Sequence, residues 1–197
     1  MSGSVAPAVG HRPFVPPPPP RTPKAAGTRR RLMALAASLF IERGYSAVSM
    51  HDIAAAAQLT KGALYGHFRS KGQLLVEVIR WKLAERDESI DFRPLTDFES
   101  GVALMYDERY HDVRLLEVDA AAAARHDPDV AAGLTALYEE RHERTRDAIA
   151  AMRDPDTTAW LMSTIMGGVG LKDSIGLPRP DVDRLAAMLI AALGALA

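Results

Sequence analysis

The chain has 197 residues, 48% of them hydrophobic, which is enough to bury a core across one or two domains. It contains no cysteine, which excludes disulfides and thiolate metal centres and is consistent with a reducing cytoplasm. The formal net charge of −1 hides an uneven distribution, with +3 on residues 1–27, +6 on residues 28–82 and −10 on the remainder. A basic end on an acidic body suits a polyanion met by one end only.

Residues 1–24 are rich in proline, with an unbroken run from Pro16 to Pro20, and poor in residues that could build a core. Such sequence favours extended polyproline II, so this stretch reads as a disordered or semi-rigid arm. Arg21, Lys24 and Arg29 to Arg31 give its end a charge suited to phosphate or a minor groove. No apolar stretch of the secretory kind is present near it.

A first helix is expected from about Thr28 to Arg43, with Leu32, Leu35, Ala36, Leu39 and Phe40 on one face and Gly44 as its stop. Ser49 followed by Asp52 has the spacing of a capping box and opens a second helix, with Ile53, Ala54 and Ala57 on its apolar face. Gln58 and Leu59 break the pattern. Thr60 can cap a further short helix that carries Lys61, Leu64, Tyr65, His67 and Phe68. Ser70 and Gln73 repeat the capping spacing and open a longer helix from about Lys71 to Glu88, presenting Leu74, Leu75, Val78, Ile79 and Leu83. Two short helices about a four-residue turn have the form of a helix-turn-helix, whose second helix can enter a DNA major groove. Leu64 and Phe68 face away from the groove and belong to the core. Residues 25–83 are therefore expected to form a DNA-binding domain.

The segment Asp91 to Pro94 reads as a boundary, because the residue before a proline is disfavoured in helix. Helical segments follow near 95–106, 110–126, 128–152, 156–172 and 181–196, broken at Asp127 and Pro128, at Asp154 and Pro155, and between Gly176 and Pro180. No stretch sustains strand alternation, so the fold class is all-α, with residues 84–197 as a second, helical domain. The longest apolar run, Leu185 to Ala197, is too short to cross a bilayer, so no membrane partner is expected. Along the penultimate helix, Trp160, Ser163, Thr164, Gly167, Gly168 and Leu171 share one face, and Leu185, Met188, Leu189, Ala192 and Leu196 form a stripe on the last.

The run Leu59 to Tyr65 (LTKGALY), together with Ile53, Ala54, His67, Phe68, Ser70 and Lys71, resembles the signature of the tetracycline-repressor (TetR) family of bacterial regulators. Leu39, Phe40, Arg43, Gly44 and Tyr45 fit that family's first helix and the turn after it. The likeness covers about residues 28–83. One departure is Gln58, where the family often has glycine; a positive φ there would carry a cost for glutamine. The resemblance implies a homodimer built on a four-helix bundle of the last two helices, a double-stranded DNA operator as partner, and a pocket for a small-molecule effector in the acidic body.

For phosphate, resemblance and chemistry agree on Ser49, Thr60, Tyr65, His67 and Lys71, all of which can donate to phosphate oxygens. For bases, Lys61 can donate to guanine O6 or N7, Ala63 can meet a thymine methyl, and Gly62 permits close approach. Candidate pocket liners are Leu104, Met105, Val118, Leu137, Trp160 and Met166, with Arg109, Arg114, Arg125 and His126 available to an anionic group.

An enzyme finds little support. The run Gly167 to Lys172 (GGVGLK) lacks the Gly-Lys-Ser/Thr of a phosphate loop and no strand precedes it. The six histidines are scattered without metal-ligand spacing, so no catalytic residue, metal or cofactor is expected. The reading is a cytoplasmic, ligand-responsive transcriptional regulator, a repressor released from a palindromic operator by an effector. The alternative is an all-α small-molecule-binding protein or enzyme that keeps the helix-turn-helix as scaffold.

Overall fold

Side-chain caps mark most of the helix starts, and the chain between them carries the core. The computed structural model describes residues 13–87, 106–150 and 153–194. Helix α1 runs Pro23–Arg43, with Thr22 accepting from the Ala25 N–H at 3.2 Å. It starts five residues before the expected Thr28, because Thr22 supplies a cap and Pro23 is tolerated in a first turn. It ends at Gly44, whose φ of 78° favours glycine. Helix α2 covers Met50–Ala56 and α3 covers Lys61–Tyr65, capped by Ser49 and Thr60 as expected. Helix α4 covers Lys71–Asp87. Its entry is closed twice: Ser70 Oγ accepts from the Gln73 N–H at 3.0 Å, and Gln73 Oε1 accepts from the Arg69 N–H at 2.9 Å.

After a 3-10 turn at Glu108–Tyr110 come α5 (His111–Ala123), α6 (Pro128–Ala148), α7 (Pro155–Ser174) and α8 (Val182–Gly194). Asp127 and Asp154, read from the sequence only as breaks, are the N-caps of α6 and α7, each with proline next in line. No strand occurs among the described residues, and the all-α expectation holds. The boundary at Asp91–Pro94, and all but Tyr106 of the helix expected over 95–106, lie outside the described residues.

One apolar core runs through both parts of the chain. Leu32, Phe40, Ile53, Leu64, Phe68, Leu74, Leu75 and Ile79 are at most 1% exposed and close the core of α1–α4. The same cluster continues into Val113, Leu116, Ala120, Val130, Leu134 and Leu137 of α5 and α6. Helix α4 supplies the continuity, packing against α1 on one side and against α5 and α6 on the other. Glycine allows a close approach. A methyl built on Gly133 of α6 would stand 2.5 Å from a Val76 methyl carbon of α4.

Of the stretch read as a disordered or semi-rigid arm, the residues from Pro13 onward are described. Phe14 is half-buried, Pro17 is buried, and Thr22 to Lys24 already belong to the start of α1. Among the described residues, no helix is long and apolar enough to cross a membrane.

Candidate nucleic-acid interface

The sequence places alternate demands on α3, and the fold separates them. Leu64 and, just beyond the helix, Phe68 are fully buried, so the short helix is anchored to the core by one side. Lys61, Gly62, Ala63 and Tyr65 point the other way and are exposed, Tyr65 by 51%. Thr60 Oγ1 accepts from the Ala63 N–H at 3.2 Å, which fixes the entry of the helix. A methyl added to Gly62 would meet only Thr60 Oγ1, at 4.0 Å, so the surface over this glycine is open. His67 is half-buried beside the Phe68 ring. The outward group Lys61, Gly62, Ala63 and Tyr65 is therefore a continuous presentation of one cation, one phenol and two small residues.

Two expected phosphate donors are placed otherwise. The Ser49 hydroxyl donates to Asp52 Oδ2 at 2.7 Å and accepts from the Asp52 N–H at 3.2 Å. A hydroxyl has one proton, and here it goes to the Asp52 carboxylate, beside the capping box made by the Ser49 Oγ–Asp52 N–H and Asp52 Oδ2–Ser49 N–H bonds. The hydroxyl's bond and the Ser49 N–H hold the Asp52 carboxyl below its ordinary range. Lys71 turns inward: Nζ donates to the Tyr45 and Val48 carbonyls at 2.8 and 2.9 Å and lies 4.0 Å from the Tyr45 ring centroid. Burial lowers the pKa of its ammonium. Both residues stabilise the frame of the motif. Of the four arginines expected near DNA, Arg21, Arg30 and Arg31 are exposed, while Arg29 is drawn in to Glu77 at 2.7 Å and stacks over the Phe68 ring.

The turn at Gln58 takes the conformation that glycine would adopt freely. Its φ is +56°, the one positive value of a non-glycine residue among the described residues. The backbone needs it because Leu59 must return its N–H to Ala54 O, at 2.9 Å, to close α2 before α3 begins.

Sequence reasoning missed the joint that holds this motif to the body. Between α1 and α2, the Tyr45 N–H donates to Asp119 of α5 at 2.7 Å and its hydroxyl donates to Asp127 at 2.9 Å. Burial pushes the Tyr45 phenol well above its ordinary pKa, with the Asp127 carboxylate adding to the effect. At the head of α4, Ser70 donates to Asp129 at 2.6 Å and Arg69 pairs with the other oxygen of Asp129 at 3.2 Å. A methyl on Gly72 would stand 2.8 Å from the Asp127 oxygens. Three carboxylates of the body thus grip the two ends of the helix-turn-helix. The available signal was the acidic, proline-marked Asp127–Asp129.

Leu104 and Met105 lie outside the described residues. Val118 and Met166 are half-buried and Leu137 is buried in the core. Trp160 is corrected: it is 63% exposed, because α7 turns its small residues Ala159 and Gly170 inward and this indole outward. Thr164, Gly167, Gly168 and Leu171 are exposed on the same helix. Arg114, expected to be open to an anion, is buried and donates to Asp173 at 2.6 Å and to the Asp107 carbonyl at 3.0 Å. Burial alone would raise the Asp173 pKa, but hydrogen bonds from Arg114 and Arg179 outweigh it and hold it low. Deeper in the body Arg141 pairs with Glu117, and Tyr138 beside them is pushed up to about 12, chiefly by burial.

Comparison with known proteins bears on both halves. Residues 32–78 match the family model described as bacterial regulatory proteins, tetR family. Over 67 residues the chain is 45% identical to the HTH-type transcriptional repressor KstR2 of Rhodococcus jostii, covering 34% of this chain and 33% of that protein. The chain thus spans about a third of the length of the curated relative. A TetR-family transcriptional regulator of Pectobacterium atrosepticum is 27% identical, with a TM-score of 0.56, over 89% of this chain and 95% of its own. A Saccharomonospora viridis protein solved in complex with choline shares the fold at a TM-score of 0.63 and 19% identity, over 83% and 94% of the two chains.

Proposed function

We propose that this chain, whose residues 32–78 match the model of the tetR family of bacterial regulatory proteins, is a member of that family and a DNA-binding transcriptional regulator of the repressor type. The observation that carries the reading is the outward face of α3. It offers Lys61, Gly62, Ala63 and Tyr65 to a groove, while Leu64 and Phe68 tie the same helix to the core. Lys61 donates to guanine, Ala63 meets a thymine methyl, and Gly62 leaves room for the backbone to approach. Thr60, Tyr65 and His67 donate to phosphate and set the register. Exposed Arg30 and Arg31, on a segment of net positive charge, add a salt-sensitive attraction.

The regulator acts as a homodimer on a palindromic operator. The exposed face of α7, with Trp160, Thr164, Gly167, Gly168 and Leu171, together with exposed Met188 of α8, supports that assembly, since a large apolar residue such as Trp160 gains by being covered. The dimer holds its two α3 helices one DNA turn apart, roughly 34–36 Å. A small-molecule effector bound in the body favours a different spacing and releases the operator. A differential affinity of about 1–3 kcal/mol is enough for that response. DNA as partner places the protein in the cytoplasm.

The test is fluorescence anisotropy on the DNA upstream of the chain's own gene, across a salt series, beside Lys61→Ala and Tyr65→Ala. Specific binding that falls steeply with salt and is weakened in both variants is the expected result. Absence of binding at any salt overturns the reading in favour of a ligand-binding body that keeps the motif as scaffold.

A further inference from the structure

The proline-rich segment ahead of α1 occupies a groove that both halves of the chain build. The Phe14 ring lies against α6, close enough that a methyl on Gly133 would stand 3.0 Å from its Cδ2. The Val15 carbonyl accepts from Gln73 Nε2 of α4 at 2.8 Å. The Pro18 carbonyl accepts from Arg29 Nη1 of α1 at 3.0 Å. Exposure alternates as in a docked strap, with Phe14 half-buried, Pro17 buried and the Val15 side chain 53% exposed.

The groove and the segment match chemically. Prolines have no N–H, so a proline run presents carbonyl acceptors and apolar rings, and its restricted backbone loses little entropy on docking. The groove answers with donors and an apolar seat. Gln73 is 2% exposed; its oxygen accepts from the Arg69 N–H, and among the described residues its amide nitrogen donates to the strap. Arg29 divides its guanidinium between Glu77 and Pro18. Phe14 closes over a place where α4 and α6 approach closely, at Val76 and Gly133.

We propose that residues 14–18 are a built-in proline-rich ligand for a site formed by α1, α4 and α6, and that in this site they latch the helix-turn-helix domain to the body. With the strap seated, α1 and α4 of one domain and α6 of the other share one bound segment. For α4 to slide along α6, the Phe14 ring must leave Gly133 and the Gln73 amide must lose its partner. The latch is a property of the chain alone and stands apart from whether it binds DNA.

The experiment uses the full chain without DNA. Chymotrypsin cleavage of the Phe14–Val15 bond is timed by mass spectrometry in the native protein, in Pro17→Gly, and in free peptides of residues 11–22 with and without that change. Cleavage under such conditions follows the population of the undocked strap. The expected result is native cleavage at least roughly tenfold slower than in the peptide, with most of that protection lost in Pro17→Gly. The substitution lies in the strap and leaves the helical core intact. Hydrogen exchange supplies the second readout: amides of residues 73–79 and 130–137 exchange faster in Pro17→Gly than in the native chain. Cleavage as fast in the native chain as in the peptide overturns the site. Exchange in α4 and α6 that is indifferent to the substitution overturns the latch.

Discussion

Replacing Gln58 by glycine should stabilise this protein, and the size of the gain follows from one backbone angle. Gln58 sits at φ +56°, exposed, between α2 and α3. An L-residue in the left-handed region costs about 1–2 kcal/mol, while glycine loses about 0.5–1 kcal/mol more backbone entropy on ordering. The difference leaves Gln58→Gly more stable by about 0.5–1 kcal/mol. For a chain of this size that is a rise in Tm of roughly 1–4 °C. Urea denaturation followed by circular dichroism measures it, and Gln58→Ala is the control: alanine keeps the Cβ penalty and should stay within about 0.5 kcal/mol of the parent. The backbone bond from Leu59 to Ala54 does not depend on the side chain and survives in both. A glycine variant equal to or weaker than the parent would refute the strain argument.

Other consequences of the same structure can be measured beside it. Asp173 is held low by Arg114 and Arg179, so the stability it contributes is present above the unfolded carboxylate's 3.8 and is lost as pH falls through its lower folded value. Asp173→Ala should destabilise at neutral pH by about 3–5 kcal/mol, since it leaves the Arg114 guanidinium buried without this carboxylate, and should flatten the acid limb of an unfolding-versus-pH curve. Tyr45→Phe removes the hydroxyl that donates to Asp127 and should cost about 1 kcal/mol, read by urea titration. Thr60→Ala removes the cap of α3 and should cost about 1 kcal/mol of stability while weakening DNA binding in the anisotropy assay.

Much of the fold was legible because its signals are local. A capping serine or threonine reaches an N–H three residues on, and an apolar face repeats within one turn, so Ser49, Thr60, Gly44 and the stripe Leu74, Leu75, Val78 and Ile79 could be read directly. The outward Lys61 and Tyr65 and the inward Leu64 and Phe68 follow from the same periodicity. The cost at Gln58 was visible only through the family resemblance, which often has glycine there; the positive φ itself came from the structure. The start of α1 was harder to read, since Pro23 closes a proline-rich stretch and its tolerance in a first helical turn was overlooked.

Tertiary structure decided everything that depends on partners far apart in the chain. Lys71 has the chemistry of a phosphate donor, but two carbonyls more than twenty residues back claim it. Arg114 and Asp173, Tyr45 and Asp127, and Phe14 and Gly133 meet only after α5, α6 and α7 have packed. A charge or a proline in sequence has no direction. Whether it faces solvent, a core or another helix is set by the hydrophobic burial of its neighbours, a property of the whole assembly of helices. Thus the sequence by itself determined the helical character of the chain, the caps at Ser49, Thr60 and Ser70, and the face of α3 offered to a groove. Packing alone decided that the acidic body grips the motif at Tyr45 and Ser70, and that the proline arm lies in a groove between them.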